Sequence, residues 1–233
     1  MQLRGTWTIG LDADDTLWHN ERAFKLTQAH FAELVAPFAE SGDLDARLEA
    51  AERRNLALYG YGIKGFTLSM VETAIDISGG RVPGSVIAEL LAAGRDMLAH
   101  PVELLPGVAE AIDTLAPAAR LVLITKGDLL DQERKLAESG LADRFDDIAI
   151  VSDKTPDTYT RRLGAGPRLM AGNSMRSDVI PAIRSGAHGV HIPQDLAWSL
   201  EHADDPKDET LFHRVTEIAE LPKLVTRLDA ALP

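Results

Sequence analysis

Thr6-Trp7-Thr8-Ile9-Gly10-Leu11-Asp12-Ala13-Asp14-Asp15-Thr16 is the stretch that decides the fold. Its first half is short, apolar and rich in strand formers, and it runs directly into acids. Such a run, bounded by turn-forming polar residues, reads as a buried strand. Past this strand the rhythm of the chain changes. From Glu21 to about His100 the pattern is helical, with hardly a strand candidate. Phe24, Leu26, Phe31, Leu34 and Val35 lie at helical spacing, as do Leu44, Leu48 and Leu56, then Leu68, Val71 and Ile75, then Ile87, Leu90, Leu91 and Leu98. The spacing predicts about four helices. The Gly-rich stretch Tyr59-Gly60-Tyr61-Gly62-Ile63-Lys64-Gly65 breaks them near the middle.

After His100-Pro101 helix and strand alternate. A helix from about Gly107 to Leu115 leads into the strand Leu121-Val122-Leu123-Ile124-Thr125, and a helix from Leu129 to Ser139 leads into Asp147-Ile148-Ala149-Ile150-Val151. A helix from about Pro156 precedes Arg168-Leu169-Met170-Ala171-Gly172, and one from Val179 to Ser185 precedes Gly189-Val190-His191-Ile192. His213 to Leu228 reads as a short strand and a closing helix. Repeated strand–helix units predict an α/β protein with a doubly wound parallel sheet. The helical block is then an insertion after the first strand. Residues 1–18 and 101–233 form the α/β core and residues 19–100 a helical domain.

In open parallel sheets, ligands bind beyond the carboxyl ends of the strands. Four of the proposed strands end in reactive residues: Asp12-Ala13-Asp14-Asp15-Thr16, Thr125-Lys126-Gly127-Asp128, Ser152-Asp153-Lys154, and Gly172-Asn173-Ser174 with Asp178 behind it. Carboxylates, a hydroxyl and an ammonium meeting at one edge suit phosphoryl transfer through a magnesium ion.

These four endings, in this order, resemble the motifs of the haloacid dehalogenase superfamily. The helical insertion looks like that family's four-helix cap, and Leu105-Pro106-Gly107 resembles the Pro-Gly that re-enters its Rossmann-like core. The resemblance implies a role for each position. Asp12 would be the nucleophile that forms an acyl phosphate. Asp14 would protonate the leaving oxygen and then activate water, with its backbone carbonyl facing the metal. Thr125 would hydrogen-bond the phosphoryl oxygens, and Lys154 would neutralise the nucleophile and the transferring group. Asp178 would hold magnesium with Asp12, and the Asn173 amide oxygen would ligate it directly or through water. An acid two residues after the nucleophile fits phosphate esters, because haloacid dehalogenases lack it. The implied activity is therefore magnesium-dependent hydrolysis of a small-molecule phosphate monoester. A phosphosugar mutase of the same fold, a phosphate-ligand-binding member without turnover and a receiver-type phosphoacceptor domain are the rival readings. Two departures from the pattern stand out: Asn173 replaces the first acid of the fourth motif, and Thr155 separates Lys154 from Pro156.

Other residues divide between chemistry and structure. Asp15 reads as a surface or capping acid, and Ser174 and Ser177 as caps. Trp18 and His19 either border the substrate or serve as a packing Trp and a surface His. The Tyr59–Phe66 loop either reads the substrate or is a plain turn between helices. His188, His191, His202 and His213 show no metal spacing.

Composition narrows the partners. The 233 residues carry a formal net charge of −12, which argues against nucleic acid or an anionic membrane as the main partner. No segment approaches the roughly 20 apolar residues of a membrane span. Met1 to Gly10 lacks the pattern of a signal peptide. Cysteine is absent, which fits a reducing cytoplasm. A monomer or homodimer is expected.

Overall fold

β1 (Thr8–Leu11) is buried along its whole length, as a four-residue apolar run must be when helices cover both faces of its sheet. It pairs in parallel with β2 (Arg120–Lys126) on one side and β4 (Arg168–Gly172) on the other. In the computed structural model, which describes residues 1–39, 43–196, 198–207 and 210–232, β3 (Asp147–Val151), β5 (His188–His191) and β6 (Phe212–Arg214) complete the order β3-β2-β1-β4-β5-β6. Every pairing in this sheet is parallel.

Side chains that alternate along each strand build two cores. Ile9 and Leu11 of β1, Leu121 and Leu123 of β2 and Leu169 and Ala171 of β4 face one layer. There they meet Val108, Ile112 and Leu115 of α5 (Val108–Leu115), Leu136 of α6 (Leu129–Ser139) and Leu221, Leu224 and Val225 of α9 (Leu221–Ala230). Val122, Ile124 and Met170 face the opposite layer, where Tyr159 and Leu163 of α7 (Pro156–Leu163) and Ala182 of α8 (Ile180–Arg184) cover them. Gly10 lies on that second face, and a Cβ there would stand 2.8 Å from the Met170 sulfur. The strand–helix alternation and the doubly wound sheet are thus as expected from the sequence. The first strand is tied to the last helix: Asp229 accepts hydrogen bonds from the Arg4 and Gly5 amides and, at 3.0 Å, from the Trp7 indole.

Four helices follow β1: α1 (Glu21–Val35), α2 (Leu44–Tyr59), α3 (Ile63–Ile77) and α4 (Gly84–Leu98). They share a core of their own, with Phe31, Leu48, Phe66, Met70, Leu90 and Met97 at its centre. Gly94 lets α4 approach α3 closely, since a Cβ would meet the Thr67 hydroxyl at 2.3 Å. The chain divides into two compact units, Met1–Glu21 with Val102–Lys126 and Gln132–Pro233, and Arg22–Pro101 with Gly127–Asp131.

The structure corrects the helical spacing in detail. Leu26 is 65% exposed, and Leu68, Ile75 and Leu91 are also exposed. On α3 the buried stripe is Ile63, Phe66, Met70, Ala74 and Ile77. Its apolar residues spread round more than half of the helix, so its period alone does not single out the inner face. Ile63, placed in the inter-helix loop by its Gly-rich surroundings, is the first residue of α3 and is buried in the helical core. Among the described residues, no helix is long and apolar enough to cross a membrane.

Candidate active site

The carboxyl ends of β1, β2, β3 and β4 carry the reactive residues because a parallel sheet points all its strand ends the same way. Asp12 follows β1 directly, and its amide donates to the Ala171 carbonyl of β4 at 3.0 Å, extending the ladder by one residue. The turn after it is tight. Thr16 and Leu17 amides both donate to the Ala13 carbonyl, and Asp15 adopts a positive φ of 56°. That bend turns the Asp15 carboxylate onto the Asn20 and Glu21 amides, where it caps the start of α1. Asp15 is therefore a capping residue. Burial pushes its carboxyl up to about 6, against the pull of those amide hydrogen bonds.

Asp12, Lys154 and Asp178 come together. The Lys154 ammonium donates to Asp12 Oδ1 and, at 2.7 Å, to Asp178 Oδ1. All three side chains are almost wholly buried. Asp178 Oδ2 accepts the Ser174 amide at 3.0 Å, and Gly172 leaves it room, because a Cβ there would lie 2.2 Å from that oxygen. Two acids share one ammonium. Burial, then the neighbouring Asp178, push the Asp12 carboxyl up to about 7, while Lys154 draws it down. Burial disfavours the charge on Lys154, but Asp12 and Asp178 outweigh it and raise its pKa.

Asn173 joins this group through Thr16. The Thr16 hydroxyl accepts from the Asn173 amide at 3.1 Å and lies 3.2 Å from Asp12 Oδ2 and 3.4 Å from Asn173 Oδ1, either of which can take its proton. His191 holds the same residue from behind: Nε2 donates to the Asn173 carbonyl at 3.0 Å while Nδ1 accepts from Arg214. Thr125 is buried at the end of β2, and its hydroxyl donates to the Lys126 carbonyl at 3.3 Å, apart from the Asp12 group. Asp14 is turned elsewhere. Its carboxylate accepts from Trp18 Nε1, Gln132 Nε2 and Lys135 Nζ. Trp18 is thus a buried residue with a polar task, and His19 lies exposed.

Several residues around the site carried no signal that single-sequence reasoning weighs. Met175–Val179 forms a π-helical turn leading into the helix expected from Val179, and the Tyr159 hydroxyl donates to the Ser177 carbonyl within it at 2.8 Å. Such turns recur at functional sites. Glu201 accepts from Lys126 at 2.7 Å, from Ser174 at 2.5 Å and from Ser177. Burial opposes its charge, yet Lys126 and the two hydroxyls hold its carboxyl below the usual range. Ser174 also caps the turn by accepting from the Ser177 amide, as its residue type suggests. Thr16 could have been found, since it closes the first motif. Glu201 and Lys135 stand in no motif. Among the described residues, no group of three or more His, Cys, Asp or Glu side chains is arranged to hold a metal by itself.

Comparison with known proteins agrees with this architecture. A haloacid dehalogenase-like hydrolase model matches residues 8–166. A haloacid dehalogenase-like family hydrolase from Xanthomonas campestris shares 38% identity, with 97% of each chain covered and a TM-score of 0.85. The HAD-hydrolase YfnB from Bacillus subtilis, solved bound to magnesium, matches at 16% identity over 94% of this chain and 98% of its own, with a TM-score of 0.65. L-2-haloacid dehalogenase from Xanthobacter autotrophicus matches at 17% identity over 94% and 97%, with a TM-score of 0.62. No curated protein matches. The family model spans more than half the chain and begins at the strand that delivers Asp12, so this protein belongs to the haloacid dehalogenase-like hydrolases and is an enzyme of that family.

Proposed function

We propose that this hydrolase cleaves small-molecule phosphate monoesters with magnesium, through an aspartyl phosphate on Asp12. One observation carries the reading: Asp14, two residues beyond Asp12, keeps a carboxylate 23% exposed. A halide leaves as a stable anion and needs no proton. An alkoxide leaving a phosphate ester does, and in this reading Asp14 supplies it. In this reading an Asp12 oxygen attacks phosphorus, the ester P–O bond breaks, and Asp14 gives its proton to the departing oxygen. Asp14 then takes a proton from water as the water attacks the acyl phosphate, returning both acids to their starting state. Lys154 offsets the charge that gathers on Asp12 and the phosphoryl oxygens, and the Thr125 hydroxyl donates to one of those oxygens.

The residues present fit magnesium. Asp12 and Asp178 are two buried carboxylates that share the single Lys154 ammonium, an oxygen-rich setting that suits a cation. Magnesium is commonly held by one or two carboxylates completed by neutral and substrate oxygens. Asp12, Asp178, Asn173 and the Asp14 carbonyl would supply the protein's share. A bound cation would polarise the phosphoryl group and ease its approach to a carboxylate. We assign the helical unit the role of a cap that shields the acyl phosphate from bulk water. The absence of cysteine suits a reducing cytoplasm.

The test offers the protein an aryl phosphate and a 2-haloacid, each with magnesium and with EDTA. Phosphate release that EDTA abolishes and magnesium restores is the expected result. Halide release without phosphate release would overturn the reading.

A further inference from the structure

The Asp14 carboxylate is held by residues outside every motif. Oδ1 accepts two hydrogen bonds, from Trp18 Nε1 at 2.7 Å and from Lys135 Nζ at 3.0 Å. Oδ2 accepts one, from Gln132 Nε2 at 2.7 Å. A carboxylate offers about two acceptor sites on each oxygen. Oδ1 is therefore full, and Oδ2 keeps one lone pair open. That is the single position on Asp14 where a proton can rest without displacing a donor.

The holders are themselves held. Gln132 and Lys135 lie three residues apart on α6, a spacing that puts them on one face of the helix, and both are buried. Lys135 also donates to Asn20 Oδ1 at 2.8 Å. Gln132 Nε2 spends its second N–H on the Lys126 carbonyl at 3.2 Å. A flipped amide would set its oxygen against two acceptors, so the nitrogen is fixed toward Asp14. The amide oxygen consequently stays buried without a partner. An orphaned buried acceptor costs stability. The fold accepts that cost and keeps the N–H aimed at Oδ2. Trp18, with its side chain in the core, completes the grip.

We infer that Gln132 and Lys135 are positioning residues for Asp14, which fix Oδ2 as the oxygen that delivers a proton to the leaving group and recovers one from water. The inference rests on the phosphatase reading. Their removal leaves the nucleophile untouched and misplaces the proton. Its signature is therefore a dependence on leaving group.

The experiment measures kcat/KM for phenyl phosphate and 4-nitrophenyl phosphate with Lys135→Met and with Gln132→Leu. The two esters are alike in shape, but nitrophenolate departs readily without a proton. kcat/KM for phenyl phosphate should fall by about 10²-fold, the scale of a misplaced reacting group, with a loss of only a few-fold for the nitrophenyl ester. During turnover of the nitrophenyl ester, the phosphorylated protein should accumulate, because water activation slows as well. Gln132→Leu keeps the side-chain volume and serves if Lys135→Met fails to fold, with melting temperatures recorded beside the kinetics. Equal losses for both esters, or none, would overturn the positioning role. Failure of the unsubstituted protein to release phosphate from either ester would instead overturn the parent reading, and this one with it.

Discussion

Asp12 and Asp14 leave one strand end two residues apart and enter opposite surroundings. Asp12 drops into a buried floor built from the loops after β3 and β4, where Lys154 is shared with Asp178. Asp14 rests on a half-open rim built from α6 and Trp18, where Trp18, Gln132 and Lys135 donate to it. The floor concentrates negative charge, which invites a cation and an ammonium to screen an incoming phosphate. The rim supplies positive and neutral donors that fix one oxygen. A sheet edge can thus give two identical side chains different work by what it places around each.

The comparison breaks most visibly at the floor. Asp12→Asn should reduce phosphate release to background, because the amide is not a competent nucleophile. Turnover near the original level, followed by continuous phosphate detection, would remove the covalent route. The rim should cost less. Asp14→Asn is expected to lower kcat by about 10²–10⁴-fold while substrate binding persists. An isotherm for a non-hydrolysable phosphate analogue, measured beside the kinetics, separates the two effects.

Asn173 sharpens the charge balance of the floor. Asn173→Asp adds a carboxylate where Thr16 and His191 already hold the residue in place. The magnesium concentration for half-maximal activity should fall several-fold, with kcat changed less. An unchanged midpoint in a magnesium titration at saturating ester would show that residue 173 contributes little to the metal site.

The smallest effect is expected far along the sheet, at the His188–His213 pair, whose ring nitrogens lie 2.9 Å apart. Burial, then the neighbouring His188 and Arg227, lower His213 to about 4 from the ordinary 6.5. The unfolded chain therefore takes up this proton first, and the associated stability, intact above pH 6.5, drains away as the pH falls toward 4. His213→Phe should shrink the drop in melting temperature between pH 7 and pH 4.5 without touching turnover at neutral pH. An identical drop in both proteins would remove the pair from the acid limb.

The floor was far more legible in the sequence than the rim. Asp12, Lys154, Asn173 and Asp178 each follow a strand and Thr125 lies at the end of one, and short apolar runs ending in polar residues mark strand ends by local pattern alone. Gln132 and Lys135 sit 118 and 121 positions from Asp14 and look like the solvated face of an amphipathic helix. Only the tertiary fold turns that face inward. The same limit explains Leu68 and Ile75. Helical period locates a helix in the chain, but the inner side of an apolar helix is decided by its neighbours. The Asp15 cap was legible, because an acid just before a helix has a local task that needs no distant partner.

The clamp between Trp7 and Asp229 bears on how the chain comes off the ribosome. The two residues are 222 positions apart in sequence. At about 5–20 residues per second, roughly 10 to 45 s separate their synthesis. Through that interval β1, the central strand, lacks its terminal tie and waits first for β4 and then for α9, while Trp7, among the largest side chains destined for full burial, has no finished core to enter. The helices Glu21–Val35 to Gly84–Leu98 draw their shared core from one contiguous stretch and are free to form meanwhile. The order of synthesis therefore leaves the reactive strand to be locked last, and the nascent chain should be most open to chaperone capture at its first apolar segment.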